Sequence, residues 1–118
     1  MREAEIDELI ALDVMGAVSA SDEPVAFAEG LVARLDEALC AVRDKLSGAL
    51  SRLLLAEADL ADAEALVALT EDGDEEVVRE ERHRRQRLMA DIARERDRLA
   101  AITYHRTQAR ACIALLER

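Results

Sequence analysis

The feature that most constrains the fold is a seven-residue repeat of large apolar side chains in the middle of the chain. The repeat consists of Leu39, Leu46, Leu53, Leu60 and Val67. Smaller apolar side chains follow its first four members three positions later, at Val42, Ala49, Ala56 and Ala63. This spacing is typical of a long helix that packs along its length against a second helix, as in a coiled coil.

The composition also favours long helices. Hydrophobic residues make up 51% of the 118 residues and aromatic residues only 2%, so most apolar side chains are alanine and leucine. Both are strong helix formers, and one proline and four glycines leave few places where a helix must end. The length suffices for one small core, so we predict a single all-α domain over residues 1–118.

Three helices account for the chain: a short first helix over about 4–18, and two long helices over about 22–70 and 75–117. Gly48 is the weak point of the second helix, because glycine costs about 1 kcal/mol relative to alanine in a helix interior. A break at this glycine is the alternative to one continuous helix.

Capping residues mark the ends of the long helices. Ser21 or Asp22 can cap the second helix, because a short side-chain oxygen accepts a hydrogen bond from a free backbone N–H of the first turn. Gly73 can end that helix in a left-handed conformation, and Asp72 or Asp74 can cap the third.

A short turn makes the two long helices an antiparallel hairpin. Folding the chain about Gly73 places Arg85 opposite Leu60 and Arg106 opposite Leu39, so two charged side chains interrupt the apolar contact. We expect these arginines either to extend outward along their aliphatic stems or to meet acids from the first helix or from a second subunit.

A second apolar face of the second helix predicts self-association. It consists of six residues that we call the outer stripe: Leu50, Leu54, Ala58, Ala61, Ala65 and Leu69. One antiparallel neighbour cannot cover both faces, and the short first helix, at about 1.5 Å per residue, shields only roughly a third of the second. We therefore expect a homodimer that forms a larger helical bundle, with the outer stripe, Arg85 and Arg106 at its interface.

The charge distribution argues against a nucleic-acid partner. The net charge is −10, although five arginines and one histidine lie in REERHRRQR, residues 79–87. That stretch contains no aromatic residue and places glutamates four positions before arginines, an order that stabilises a solvated helix. We predict a salt-bridged helix face that does not bind nucleic acid.

A metal site is an alternative use of the same stretch. Glu80 and His83 have the E-x-x-H spacing found in ferritin-like di-iron bundles, which places a carboxylate and an imidazole on one helix face. The predicted hairpin brings Glu64 close to His83, and a dimer would double the set. Because only one such motif occurs and arginines surround it, we predict no metal and no other cofactor.

The sequence has neither a signal peptide nor an apolar run near the ~20 residues of a membrane span. Cys40 and Cys112 both lie in apolar helical pattern, which predicts buried, reduced thiols. We expect a cytoplasmic protein with no membrane partner. A single lysine among 16 basic residues is typical of a GC-rich bacterial or phage genome.

No catalytic motif or glycine-rich phosphate loop occurs, so we do not expect an enzyme. The predicted function is a protein–protein interaction or scaffold module that self-associates through the outer stripe or binds a helical protein partner. An alternative of a different class is a small acidic chaperone or inhibitor that masks the amphipathic helix of another protein.

Overall fold

The structure is a computed structural model that describes residues 1–69 and 74–118. These residues form helices and no strand, so the chain is all-α, as predicted. The helices are α1 (Glu3–Ala11), α2 (Val14–Ala20), α3 (Pro24–Leu69) and α4 (Glu75–Leu116). Four helices are present in the described chain where three were predicted.

The prediction of one first helix over 4–18 is wrong, because the chain breaks between α1 and α2. Leu12 has an extended backbone with φ −70° and ψ 134°. Asp13 caps α2, and its Oδ1 accepts a hydrogen bond from the Gly16 N–H at 3.2 Å. An aspartate at this position therefore starts a new helix instead of continuing the old one.

Side-chain burial gives the physical reason for this break. Ile6 and Leu9 of α1 are buried, and so are Val14 and Val18 of α2. At ~100° per residue these two pairs would point roughly 130° apart on one unbroken helix. The break allows both pairs to reach the same hydrophobic core.

α3 is continuous through Gly48, so the alternative of a break at that residue does not occur. Pro24 stands at the first helical position, where its missing N–H has no helical acceptor to lose. Just before it, Ser21 Oγ accepts a hydrogen bond from the Glu23 N–H at 3.2 Å. The chain is therefore ordered by local hydrogen bonding as it enters α3.

α4 begins with the cap that the sequence offered. Asp74 Oδ1 accepts a hydrogen bond from the Glu76 N–H at 2.9 Å. Glu75 and Glu76 lie in the first turn, where negative charge is favoured by the helix dipole. The other expected turn residues, Asp72 and Gly73, lie outside the described residues.

The chain divides into two compact units. Unit 1 contains Met1–Asp44 and Arg96–Arg118, and unit 2 contains Lys45–Glu95. Both long helices contribute residues to both units.

Unit 1 packs α1, α2, the first part of α3 and the last part of α4 around one aliphatic core. Its buried members are Ile6, Leu9, Val14, Val18, Ala28, Leu31, Leu35, Ala38, Leu39, Val42, Ile102, Ala109 and Cys112. Polar contacts add to this packing. Arg98 of α4 contacts Glu3 and Asp7 of α1, and His105 Nε2 donates a hydrogen bond to the Ile10 carbonyl oxygen at 2.7 Å.

Unit 2 contains a segment of α3 and a segment of α4 with a smaller core. Its buried apolar residues are Ala49, Ala56, Leu60, Val78, Leu88 and Ile92. Arg82 of α4 contacts Glu64 of α3 at 3.4 Å, and Arg84, further along α4, contacts Asp59, which is earlier in α3, at 2.9 Å. The two segments therefore run antiparallel within unit 2.

Over the residues described, no helix combines the length and the apolar character needed to cross a bilayer.

Candidate functional site

The outer stripe of α3 lies on the surface of unit 2, away from the core side of the same helix. Ala49, Ala56 and Leu60 face the core and are buried. At ~100° per residue, the centre of the outer stripe is rotated from these residues by roughly 150°. All six residues of the outer stripe are exposed.

The leucines of the outer stripe expose a large fraction of their side chains. Leu54 is 70% exposed, Leu69 is 83% exposed and Leu50 is 39% exposed. Complete burial of a leucine side chain is worth about 1.5–3 kcal/mol. Because unit 2 leaves these side chains in water, a surface that covered them would gain much of that free energy.

Further exposed apolar residues lie outside the outer stripe. Leu55 and Leu66 of α3 are exposed, as are Val77 and Met89 of α4. On α3 the two leucines lie roughly 100° around the helix from the centre of the outer stripe. For Leu55, the signal in the sequence was the run of three leucines at 53–55, since three consecutive residues cannot all face one helical core.

Acidic residues border the outer stripe on both sides. Glu57 lies about 20° beyond one edge and Asp62 about 20° beyond the other, at ~100° per residue. Both are exposed, and none of the six residues of the outer stripe carries a charge. The site is therefore an uncharged apolar surface with acidic edges.

The arginine-rich stretch on α4 makes ion pairs within unit 2. Arg84 Nη1 lies 2.9 Å from Asp59 Oδ2 and 3.3 Å from Glu81 Oε2. The hydrogen bond to Asp59, and to a smaller degree that to Glu81, raises the pKa of Arg84 above its ordinary value. Arg84 thus stays positively charged and holds α3 and α4 together by pairing with both.

The two arginines predicted to interrupt the apolar contact have different surroundings. Arg106, in unit 1, donates a hydrogen bond from Nε to Asp36 Oδ1. This acid belongs to α3, whereas the arginine was expected either to extend outward along its stem or to meet an acid of the first helix or of a second subunit. Arg85, in unit 2, is half-buried, and no described residue accepts a hydrogen bond from its buried Nε.

The candidate residues of the alternative metal site are exposed, and one has a cationic neighbour. Glu80 and His83 lie on the surface of α4, and Glu64 accepts a hydrogen bond from Arg82 Nη2 at 3.4 Å. Among residues 1–69 and 74–118, no three histidine, cysteine, aspartate or glutamate side chains are grouped so that they could hold a metal ion.

Sequence and structure comparisons do not assign a family to the chain. No protein-family model matches it, and no curated protein or solved structure matches it at a significant level. A functional proposal therefore rests on the surface chemistry of the molecule itself.

Proposed function

We propose that this protein is a non-enzymatic helical interaction module, of scaffold or adaptor type, that self-associates through the outer stripe of α3. The observation that carries the proposal is the exposure of Leu54 and Leu69, which are 70% and 83% exposed. Contiguous exposed apolar side chains on one helix face are typical of protein–protein contact sites.

A second copy of unit 2 offers a suitable surface for this face. Unit 2 contains two antiparallel helical segments, so two copies would provide the four segments of a helical bundle. The outer stripes would then become part of the bundle core, with coiled-coil-like packing of leucine and alanine side chains. The proposed assembly is a homodimer.

The test is the mass of the native protein in solution. Native mass spectrometry and light scattering across a wide range of protein concentration should show a dimer of the 13.0 kDa chain. The variant Leu54→Glu should weaken association by about tenfold or more, since losing 1.4 kcal/mol of contact corresponds to tenfold. A wild-type protein that stays monomeric throughout would overturn the proposal.

A matched control is available at the other end of the chain. Leu115 is 58% exposed, similar to Leu54, but belongs to unit 1. Leu115→Glu introduces the same charge without touching the outer stripe and should leave the dimer unchanged. If it dissociates the dimer as strongly as Leu54→Glu, a general charge effect explains both results, and the proposal fails.

The acidic edges of the outer stripe favour a second candidate function. Glu57 and Asp62 would suit a basic amphipathic helix of another protein, as expected for an acidic chaperone or inhibitor. Salt distinguishes the two functions. Association of two copies, each with net charge −10, should strengthen as salt screens their repulsion, whereas binding of a basic helix should weaken.

A further inference from the structure

The intervals between the residues of the outer stripe are the same in both directions along α3. From Leu50 to Leu69 the successive intervals are four, four, three, four and four residues. The midpoint lies between Ala58 and Ala61. If the helix is turned end over end about that midpoint, each position of the outer stripe falls on another position of the outer stripe.

This property matches the geometry of an antiparallel two-fold contact between two copies of α3. In such a contact each residue faces the one at the same distance on the other side of the midpoint. Leu50 would face Leu69 of the second copy, Leu54 would face Ala65, and Ala58 would face Ala61. All six residues then lie in the contact, and each of them has a partner.

Side-chain size varies along the outer stripe in the way that crossing helices require. Two straight helices that cross are closest at the crossing point and diverge on either side, with axes about 8–10 Å apart where they are closest. The small side chains of Ala58 and Ala61 lie at the midpoint. The large side chains of Leu50 and Leu69 lie at the two ends, where the gap to be filled is wider.

A parallel contact of the same faces would fit poorly. It would place Leu50 and Leu54 against their own copies at one end, and Ala58, Ala61 and Ala65 against theirs further along. The leucines would hold the helices apart at one end while the alanines left unfilled space, and unfilled space in a core is destabilising.

We infer that two copies of this chain associate through the outer stripe as an antiparallel pair of α3 helices, with the two-fold axis between Ala58 and Ala61. The inference rests on the proposed function and adds its geometry. The occupant of the outer stripe is a second copy of the same face, because self-complementary spacing and size are properties that a contact with an unrelated helix does not require.

Mixed charge variants test the facing pairs directly. Leu54→Glu and Ala65→Lys should each weaken the homodimer, because each places two charges in the apolar contact. When the two variants are mixed, Glu at position 54 faces Lys at position 65, and the other facing pair is wild type. Native mass spectrometry of the full-length chains should show that the heterodimer forms again. Its association constant should be about tenfold or more above that of the heterodimer in the matched control mixture.

The matched control is a mixture of Leu54→Glu with Leu54→Lys. It carries the same opposite charges, but only a parallel contact would bring them face to face. Preferential heterodimer formation in this control, and not in the first mixture, would overturn the antiparallel inference and leave self-association standing.

Two further outcomes separate the inference from the proposed function. If the wild-type protein is a monomer, the proposed function has failed before any mixing. If the wild type associates but neither Leu54→Glu nor Ala65→Lys weakens it, the outer stripe is not the interface, and both the proposal and the inference are wrong.

Discussion

Arg98 is the residue whose polar contacts most clearly hold one helix against another in unit 1. Its Nη1 lies 2.6 Å from Glu3 Oε2 and its Nη2 lies 2.9 Å from Asp7 Oδ1. The side chain of Arg98 is only 12% exposed, so its aliphatic stem also packs against its neighbours. A guanidinium group that binds two carboxylates of α1 fixes both the position and the rotation of that helix.

Replacing this arginine should therefore destabilise unit 1. We expect Arg98→Ala to lower the free energy of unfolding by about 1–2 kcal/mol, because two charge-assisted hydrogen bonds and the packing of the stem are lost. Urea unfolding followed by far-UV circular dichroism measures the change. Arg110→Ala, at an exposed position of the same helix, is the control and should change stability by less than about 0.5 kcal/mol. Equal effects of the two variants would contradict the role of Arg98.

His105 satisfies a backbone group that the end of α1 leaves free. The Ile10 carbonyl is in the last turn of α1, where the helix supplies no N–H partner, and His105 Nε2 donates to it at 2.7 Å. We expect His105→Phe to cost about 1 kcal/mol, the lower end of the penalty for leaving an acceptor unpaired, because the Ile10 carbonyl is only partly buried. Tyr104→Phe removes an exposed hydroxyl whose one hydrogen bond, from Gln108 Nε2 at 3.2 Å, lies at the surface, so it should be nearly neutral in the same unfolding measurement. If both variants unfold at the same urea concentration, this account of His105 is wrong.

The two cysteines should differ in chemical reactivity. Both were expected to be buried, but Cys40 is exposed and only Cys112 is buried, where its Sγ lies 3.2 Å from Met15 Sδ. N-ethylmaleimide should therefore add one label to the native protein and two labels to the unfolded protein, as measured by intact mass. Cys40→Ser should abolish native labelling. Rapid labelling of Cys112 in that variant would contradict the packing of unit 1.

At the scale of the helices, three glycines lie within helical segments and differ in the space around their Cα atoms. A Cβ added at Gly30 meets no atom within 4 Å, and one added at Gly48 meets only the Arg52 guanidinium at 3.4 Å. A Cβ added at Gly16 would instead collide with the carboxylate of Asp13, which caps α2.

These surroundings predict that the same substitution, glycine to alanine, changes the stability differently at the three positions. Gly30→Ala and Gly48→Ala should each stabilise the protein by up to about 1 kcal/mol, because alanine is the better residue in a helix interior. Gly16→Ala should not stabilise it, because Asp13 must move and the loss of its cap, worth about 1 kcal/mol, offsets the gain from alanine. Thermal unfolding of the three variants gives the comparison, and destabilisation by Gly48→Ala would argue against an unbroken α3.

The sequence was sufficient to predict the long helices because their signals extend over many turns. The heptad repeat and the caps predicted helices over 22–70 and 75–117, and α3 and α4 span Pro24–Leu69 and Glu75–Leu116. The break between α1 and α2 was missed because it involves only two residues. Leu12 fits a helical pattern as well as an extended one. Whether the chain breaks there depends on which side of each short helix packs against the core.

The candidate site was predictable for a related reason. A helix with apolar residues on two faces can bury only one of them in unit 2, so the exposure of the outer stripe follows from its angular position. The partner of Arg106 could not be predicted in this way. Its contact with Asp36 depends on the rotation of α4 against α3 within unit 1, and a shift of a fraction of a turn would offer the arginine a different acid.

At the scale of the whole molecule, the two units should differ in local stability. Thirteen buried residues from four helices form the core of unit 1, whereas the described residues of unit 2 bury six apolar side chains, two of them alanines, between two helical segments. Regions with few buried apolar contacts open at lower free energy. We expect backbone amides at 24–44 of α3 to exchange with deuterium more slowly than those at 45–69.

Hydrogen exchange followed by mass spectrometry of peptides measures this difference. Protection at 45–69 should rise with protein concentration in the wild type, since self-association would cover the outer stripe, and it should not rise in Leu54→Glu. Uniform protection along α3 at low protein concentration would contradict the division into units of different stability.

The interior of this protein contains no aromatic ring of phenylalanine, tyrosine or tryptophan. The chain has one phenylalanine, one tyrosine and no tryptophan, and both Phe27 and Tyr104 are exposed. Ring-current shifts of core methyl groups should therefore be small, and near-ultraviolet dichroism should be weak even in the native state. Narrow methyl dispersion and a flat near-ultraviolet spectrum usually indicate a molten globule, but here they are expected of the fully packed fold. A cooperative unfolding transition is the appropriate sign of native packing for this molecule.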